Sequence, residues 1–318
     1  MDWVLLGIPL GIVMLYFGSE WLVRGAKNLA LRLGVAPFVV GLTVVAFGSS
    51  APEMVTSVVS ANTPAIILGN VIGSNVANIG LAIALAAVVC PLVAKYHDMK
   101  LEINMMVVIS FVVLALAVFG LLSLWFGIIL LVVLVVFLYV VYRAKGDSGV
   151  GQEAYLEEVG EETQQGYPIL IALIAVGLIL LYYGANFFID GAVELAHMIG
   201  ISDLLVGLIV VAIGTSLPEI CICLIAASRG ENDLAVANIV GSNIFNACAV
   251  LGVGCIVAKI PVSDTVLYFH LPVMILLALA MYAAVRWKHR ISRPTAFILL
   301  GIYAAYLAAM VAVPSLAM

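Results

Sequence analysis

The chain has 318 residues, 65% of them hydrophobic and 10% charged, with a formal net charge of −5 and a mean hydropathy of +1.25. Soluble domains carry about 25% charged residues, so this composition excludes a soluble globular protein and gives a polytopic membrane protein. Most of the charges lie in short loops, so the net value says little about partners, and nothing points to nucleic acid.

Ten segments can hold membrane helices, each roughly 20 residues or a little more. They lie near 3–30, 37–60, 65–92, 103–120, 124–142, 168–198, 204–227, 234–257, 265–286 and 296–313. The chain opens Met-Asp-Trp with no basic region, so the first segment reads as a membrane helix and not as a cleaved signal. The predicted organisation is a first five-helix unit over 1–142, an acidic linker over 143–167 and a second five-helix unit over 168–318. The linker carries Asp147, Glu153, Glu157, Glu158, Glu161 and Glu162. It reads as a solvated connection, too short for a folded domain. With the N-terminus outside, the inner loops hold Arg24, Lys27, Arg32, Lys95, Lys100, Arg143, Lys145, Arg229, Arg286, Lys288, Arg290 and Arg293. The outer side holds only Lys259. That bias supports the helix count and places both termini outside and the linker in the cytoplasm.

The second segment contains GLTVVAFGSSAPEMVTSVVSA, Gly41 to Ala61, and the seventh contains GLIVVAIGTSLPEICICLIAA, Gly207 to Ala227. Tyr16 to Glu53 against Tyr182 to Glu219 gives 17 identities in 38 positions without a gap. The chain is an internal duplication. Five helices per half put the second copy into the membrane upside down, and such inverted repeats are a transporter architecture with the site at the midplane. Pro52 and Pro218 have no N–H and clash with the carbonyl four residues back, so helices 2 and 7 should break there. A carboxylate at bilayer depth costs about 2.5–3.5 kcal/mol on insertion scales, so Glu53 and Glu219 need a reason to be there. Irregular backbone at that depth must be buried in protein or line a cavity.

Helices 3 and 8 each carry a polar stripe at spacing four: Asn70, Ser74 and Asn78, then Asn238, Ser242 and Asn246. Such residues commonly act as interhelical glue. Duplicated beside a broken helix with a Glu, Ser74, Asn78, Ser242 and Asn246 read as ligands, with Asn70 and Asn238 a turn away. Gly69, Gly73, Gly80 and Gly241 are expected to let neighbouring helices come close. Inverted symmetry brings Glu53 and Glu219 together, where a divalent cation neutralises both. Calcium takes 6–8 oxygens in flexible geometry. Two carboxylates supply up to four; the carbonyls near Ala46 and Ala212 and the hydroxyls of Ser49 and Thr215 can supply the rest. Ser50, Ser216, Ser74 and Ser242 can form smaller pockets suited to a monovalent ion.

The paired motifs GLTVVAFGSSAPE with GNVIGSNVAN, and GLIVVAIGTSLPE with ANIVGSNIFN, resemble the two alpha repeats of the cation/calcium exchanger superfamily. Within it the chain looks most like the prokaryotic sodium/calcium exchangers. The resemblance covers nearly the whole chain. It implies an all-α fold of ten membrane helices as two inverted repeats, with helices 2 and 7 broken. It implies electrogenic exchange of several Na+ for one Ca2+ by alternating access, with both ions bound as substrates and no cofactor. The ligand set it implies is Glu53, Glu219, Ser49, Thr215, Ser50, Ser216, Ser74, Ser242, Asn78 and Asn246, with the carbonyls of Ala46 and Ala212. Relatives that use potassium carry Asp where Asn246 stands, which argues against potassium co-transport. The motifs differ from the Gly-Asn-x-x-Glu form usual in proton/calcium exchangers. Helices 1 and 6 are implied to slide.

Glu20 and Arg24 are four apart and can pair. Segments 4–5 and 9–10 read as scaffold without buried charge apart from His270, itself read as structural. The five cysteines lie in apolar segments and read as small hydrophobes. The rivals to a sodium/calcium antiporter are a proton/calcium antiporter or an exchanger of another divalent cation, an ion channel, and an intramembrane enzyme. The last lacks a His-Glu-x-x-His helix or an evident Ser–His pair. The expected setting is the plasma membrane. A single chain holds both halves of the site, so a monomer suffices.

Overall fold

The computed structural model of the protein describes residues 3–35, 37–120, 122–146, 165–199, 214 and 216–316. Among these, nine helices are long and apolar enough to cross a membrane. In chain order they are helix 1 (Gly7–Leu33), helix 2 (the broken span Pro37–Asn62), helix 3 (Ala65–Val89), helix 4 (Tyr96–Val118), helix 5 (Leu124–Gly146), helix 6 (Tyr167–Met198), helix 8 (Asn232–Val257), helix 9 (Val266–Lys288) and helix 10 (Arg293–Ala312). Helix 7 is described over Leu217–Ser228. Its predicted first half, with Ala212 and Thr215, lies outside the described residues, as does the linker over 147–164. The fold is all-α and polytopic, as the sequence implies, and its halves repeat one another locally.

Helices 3 and 8 form the centre, and every residue from Leu234 to Phe245 is buried. Such a helix cannot show an apolar stripe, because all its faces meet protein. Helices 1 and 6 pair along their length through glycines. A Cβ at Gly11 would sit 2.6 Å from the Gly184 carbonyl oxygen, and one at Gly18 would sit 2.9 Å from that of Gly177. Backbone thus meets backbone, the packing that small residues allow between membrane helices. Gly80 is tight against Tyr303, and Gly241 against Ala46 and Leu42. A Cβ at Gly73 meets nothing within 4 Å among the described residues.

A two-residue ribbon, β1 (Leu92–Val93) antiparallel to β2 (Arg290–Ile291), ties the helix 3–4 link to the helix 9–10 link. Arg293 donates to the carbonyls of Val88 and Val89 at the end of helix 3, where a cation complements the helix dipole. Helix 4 begins at Tyr96 and not near 103. That brings in Glu102, which is fully buried, so the expectation of no buried charge in helix 4 is wrong.

The anticipated Glu20–Arg24 pair is also replaced. Glu20 accepts from Arg229 at 2.6 and 3.1 Å, and Lys27 meets Glu231 at 2.7 Å. Both ion pairs join helix 1 to the short link between helices 7 and 8. His270 is buried, with one ring nitrogen 2.8 Å from the Tyr306 hydroxyl and the other 2.8 Å from the Leu316 carbonyl oxygen. It fastens helix 9 to helix 10 and the turn beyond it, which is a structural role.

Candidate cation site

Helix 2 runs as Pro37–Val40, a π turn over Gly41–Val45, then Ala46–Ser49. It breaks at Ser50 (φ −85°, ψ 2°) and resumes as Ala51–Val59. Pro52 lies in the first turn of the new half-helix, where its missing N–H costs nothing. Ser216 has nearly the same backbone (φ −95°, ψ 6°) ahead of Leu217–Ser228. Glu53 and Glu219 therefore each sit in the first turn of a half-helix. The positive end of the helix dipole lies there and favours an anion.

Both carboxyl side chains are buried, at 2% and 0% exposure. They are close enough for their charges to interact, and among the described residues no carboxylate oxygen of either has a hydrogen-bond partner. The Ser49 hydroxyl lies beside the Glu219 carboxylate. It is also 3.3 Å from the Ser242 hydroxyl and 3.5 Å from Asn238 Oδ1. A hydroxyl from the first repeat is thus set among groups of the second. The Ala46 carbonyl accepts the Ser50 N–H at 3.1 Å and the Ser49 hydroxyl at 3.3 Å. It is free to meet an ion only when that hydroxyl turns away.

Ser50, Ser74 and Ser216 have buried hydroxyls without partners among the described residues. Among the described residues Asn78 Oδ1 and both amide atoms of Asn246, Oδ1 and Nδ2, likewise have no partner. Asn78 and Asn246 each begin a π turn, Asn78–Ala82 and Asn246–Val250; such turns recur at functional sites. Of the twelve residues singled out from sequence, ten are described, and all ten belong to helices 2, 3, 7 and 8. Asn70 donates to the Glu53 carbonyl at 3.3 Å, and Asn238 donates to Cys223 Sγ at 3.8 Å. Both occupy the flanks of the cluster.

Two residues went unnoticed in the sequence. Asn75 and Asn243 cross-link helices 3 and 8, each donating its amide to the other's backbone carbonyl, at 3.3 and 3.5 Å. The signal was present: an Asn follows the Ser in both Gly-Ser-Asn triplets, Gly73–Asn75 and Gly241–Asn243.

A buried donor or acceptor left unsatisfied costs about 1–3 kcal/mol. Buried oxygens of this kind, the two carboxylates among them, are therefore unfavourable by themselves, and a cation bound among them would stabilise them. The ligand atoms are hard oxygens, which suit calcium or a group 1 ion.

The family model for sodium/calcium exchanger proteins matches residues 3–143 and 169–312. An uncharacterized membrane protein of Methanocaldococcus jannaschii is 34% identical over 92% of this chain and 93% of its own. The sodium/calcium exchanger MaX1 of Methanosarcina acetivorans is 29% identical over 94% and 95%. Among solved structures, the sodium-calcium exchanger NCX_Mj soaked without Na+ and Ca2+ superposes with a TM-score of 0.82 at 29% identity, covering 97% of this chain and 99% of that one.

Proposed function

The chain belongs to the sodium/calcium exchanger protein family, transporters of the membrane, and from that premise we propose that it is a secondary antiporter exchanging Na+ for Ca2+ by alternating access. Glu53 and Glu219 are shared between the two ions. Ser49, Thr215, Ser50, Ser216, Ser74, Ser242, Asn78 and Asn246, with the carbonyls of Ala46 and Ala212, complete the ligand set. One observation carries this reading: both repeats contribute buried oxygens without partners among the described residues, the two carboxylates included. The solved structures of NCX_Mj, soaked with Na+, Ca2+ or Sr2+, concern extracellular ion exchange and binding-site occlusion, which supports the same use of the fold here.

An ion in the site neutralises the carboxylates and permits the conformational switch, whereas an empty site leaves two buried charges and stalls it. Several Na+ against one Ca2+ makes the cycle electrogenic. Asn in place of Asp at 246 leaves two carboxylates in the set and supports independence from potassium. The protein catalyses no covalent chemistry and uses no cofactor. It works as a monomer in the plasma membrane, with both termini outside and the 143–167 linker between its halves in the cytoplasm.

The test is Ca2+ uptake into proteoliposomes loaded with Na+, K+ or neither, with and without a proton gradient. Uptake driven by Na+ alone is expected. Uptake driven by protons without Na+ overturns the sodium assignment in favour of a proton/calcium antiporter. No Ca2+ movement under any gradient overturns the calcium assignment in favour of another cation.

A further inference from the structure

The Asn75–Asn243 crossing sets more than the distance between two helices. Asn243 Nδ2 donates to the Asn75 backbone carbonyl at 3.5 Å, and to Met106 Sδ at 3.8 Å. A backbone carbonyl is only an acceptor, so the Asn243 amide must present its NH2 there and its Oδ1 on the opposite branch. That oxygen accepts from Asn78 Nδ2 at 3.0 Å. Asn78 must in turn present its NH2 to Asn243, and its own Oδ1 is the branch left free, buried and without a partner among the described residues. Each link follows from the one before and begins at a backbone atom that cannot flip.

The other half stops one link short. Asn75 Nδ2 donates to the Asn243 carbonyl at 3.3 Å and to Met274 Sδ at 3.8 Å, which mirrors Asn243 and Met106. Yet Asn75 Oδ1 accepts no bond, and both side-chain atoms of Asn246 stand unpartnered among the described residues.

We propose that Asn243 is a positioning residue: it holds the Asn78 carboxamide with its oxygen turned to the ion, so that one half of the site is preset and the half at Asn246 is not. The proposal rests on the reading of Asn78 as an ion ligand. Asn243 touches no ion itself, and it belongs to the opposite repeat from the ligand it orients.

A double-mutant cycle on the full-length protein in detergent, with Ca2+ alone as the probe in a calorimetric titration, tests this. Asn243→Leu is expected to weaken Ca2+ binding by about 10–100-fold, the usual loss when the partner that orients a metal ligand is removed. In an Asn78→Ala background the same change is expected to have no further effect, because nothing is left to orient. Asn75→Leu is the control for packing. It cuts the amide bond to the Asn243 carbonyl but keeps its own backbone carbonyl, so the sequence of bonds to Asn78 survives and Ca2+ affinity holds while the melting temperature falls. Where Leu does not fit, Asn243→Ala removes the same acceptor. An Asn243 effect that persists undiminished without Asn78, an equal loss in Asn75→Leu, or parental affinity in the Asn243 variants overturns the proposal. Parental affinity in Asn78→Ala sinks the ligand assignment of Asn78 and the proposal with it.

Discussion

The two repeats are nearly the same at the candidate cation site and different around it. Glu53 and Glu219 both open a half-helix after a broken turn, and Asn78 and Asn246 both begin a π turn. Away from this centre the copies part. The last turn of helix 2 and its link to helix 3, Ser60–Pro64, carry no charge, while the link between helices 7 and 8 carries Arg229 and Glu231, both paired with helix 1. Ser57 of helix 2 stands where helix 7 has Cys223. Helix 4 buries Glu102, and helix 9 buries His270 at the corresponding place. An ion bound at a site shared between the repeats, as proposed, would constrain both copies alike, and nothing of that kind constrains the links.

Removing one carboxylate breaks the likeness most severely. Glu53→Gln and Glu219→Gln are each expected to lower Ca2+ affinity on the order of 100-fold, because the charge of the ligand set governs affinity for hard cations. Calorimetric titration checks this, and a large loss in one variant with none in the other would mean that the repeats do not share the ion. The parent should also be stabilised by about 2.7 kcal/mol at a Ca2+ concentration 100 times Kd. That gain should shrink to about 0.4 kcal/mol in thermal unfolding of either variant at the same Ca2+ concentration, which then equals the variant's Kd.

The seam between helices 1 and 6 comes next. Gly11→Val places a Cβ 2.6 Å from the Gly184 carbonyl oxygen. Backbone cannot rotate aside, so the cost should lie at the upper end of about 1–3 kcal/mol. Gly73→Ala meets nothing within 4 Å among the described residues and should gain about 0.5–1 kcal/mol as a helix-interior glycine removed. Equal melting temperatures for the two would refute the backbone contact.

The asymmetry at the asparagines yields a subtler difference. Asn78→Asp and Asn246→Asp both add a third carboxylate to the candidate ligand set. Only the first sets a carboxylate against Asn243 Oδ1 in place of a donor, so it should be the less stable by about 1–3 kcal/mol. Equal stability in chemical denaturation would erase the distinction between the halves. The smallest effect belongs to Arg229→Ala. Arg229 keeps 55% of its side chain exposed and Glu20 23%, and ion pairs within reach of solvent contribute little. The melting temperature should hardly move, and a large drop would mean that this link supports the fold.

Much of the site was legible because its chemistry is anomalous for its surroundings. Pro and Glu inside an apolar run have no neutral explanation, and their repetition without a gap made the pairing of Glu53 with Glu219 an inference from symmetry. Asn75 and Asn243 escaped notice because they fall off the spacing-four stripe, and on a fully enclosed helix the stripe is not the only face that matters. Glu102 was missed by a boundary: helix 4 begins at Tyr96, with an irregular residue at Met99 (φ −130°, ψ 20°) that hydropathy cannot register. Glu20 was assigned its nearest opposite charge, Arg24. Its partner is 209 residues away.

The membrane setting, the ten-helix duplication, the broken helices and the two carboxylates were determined by the order of residues alone. Each is a local property of hydropathy, proline geometry or repetition, and needs no docking of distant parts. Which oxygens stay unpartnered, which amide orients which, and where helix 1 is tied were decided only in the tertiary structure. Those contacts join residues such as Asn78 and Asn243, 165 positions apart, and their geometry exists only once helices 3 and 8 have packed.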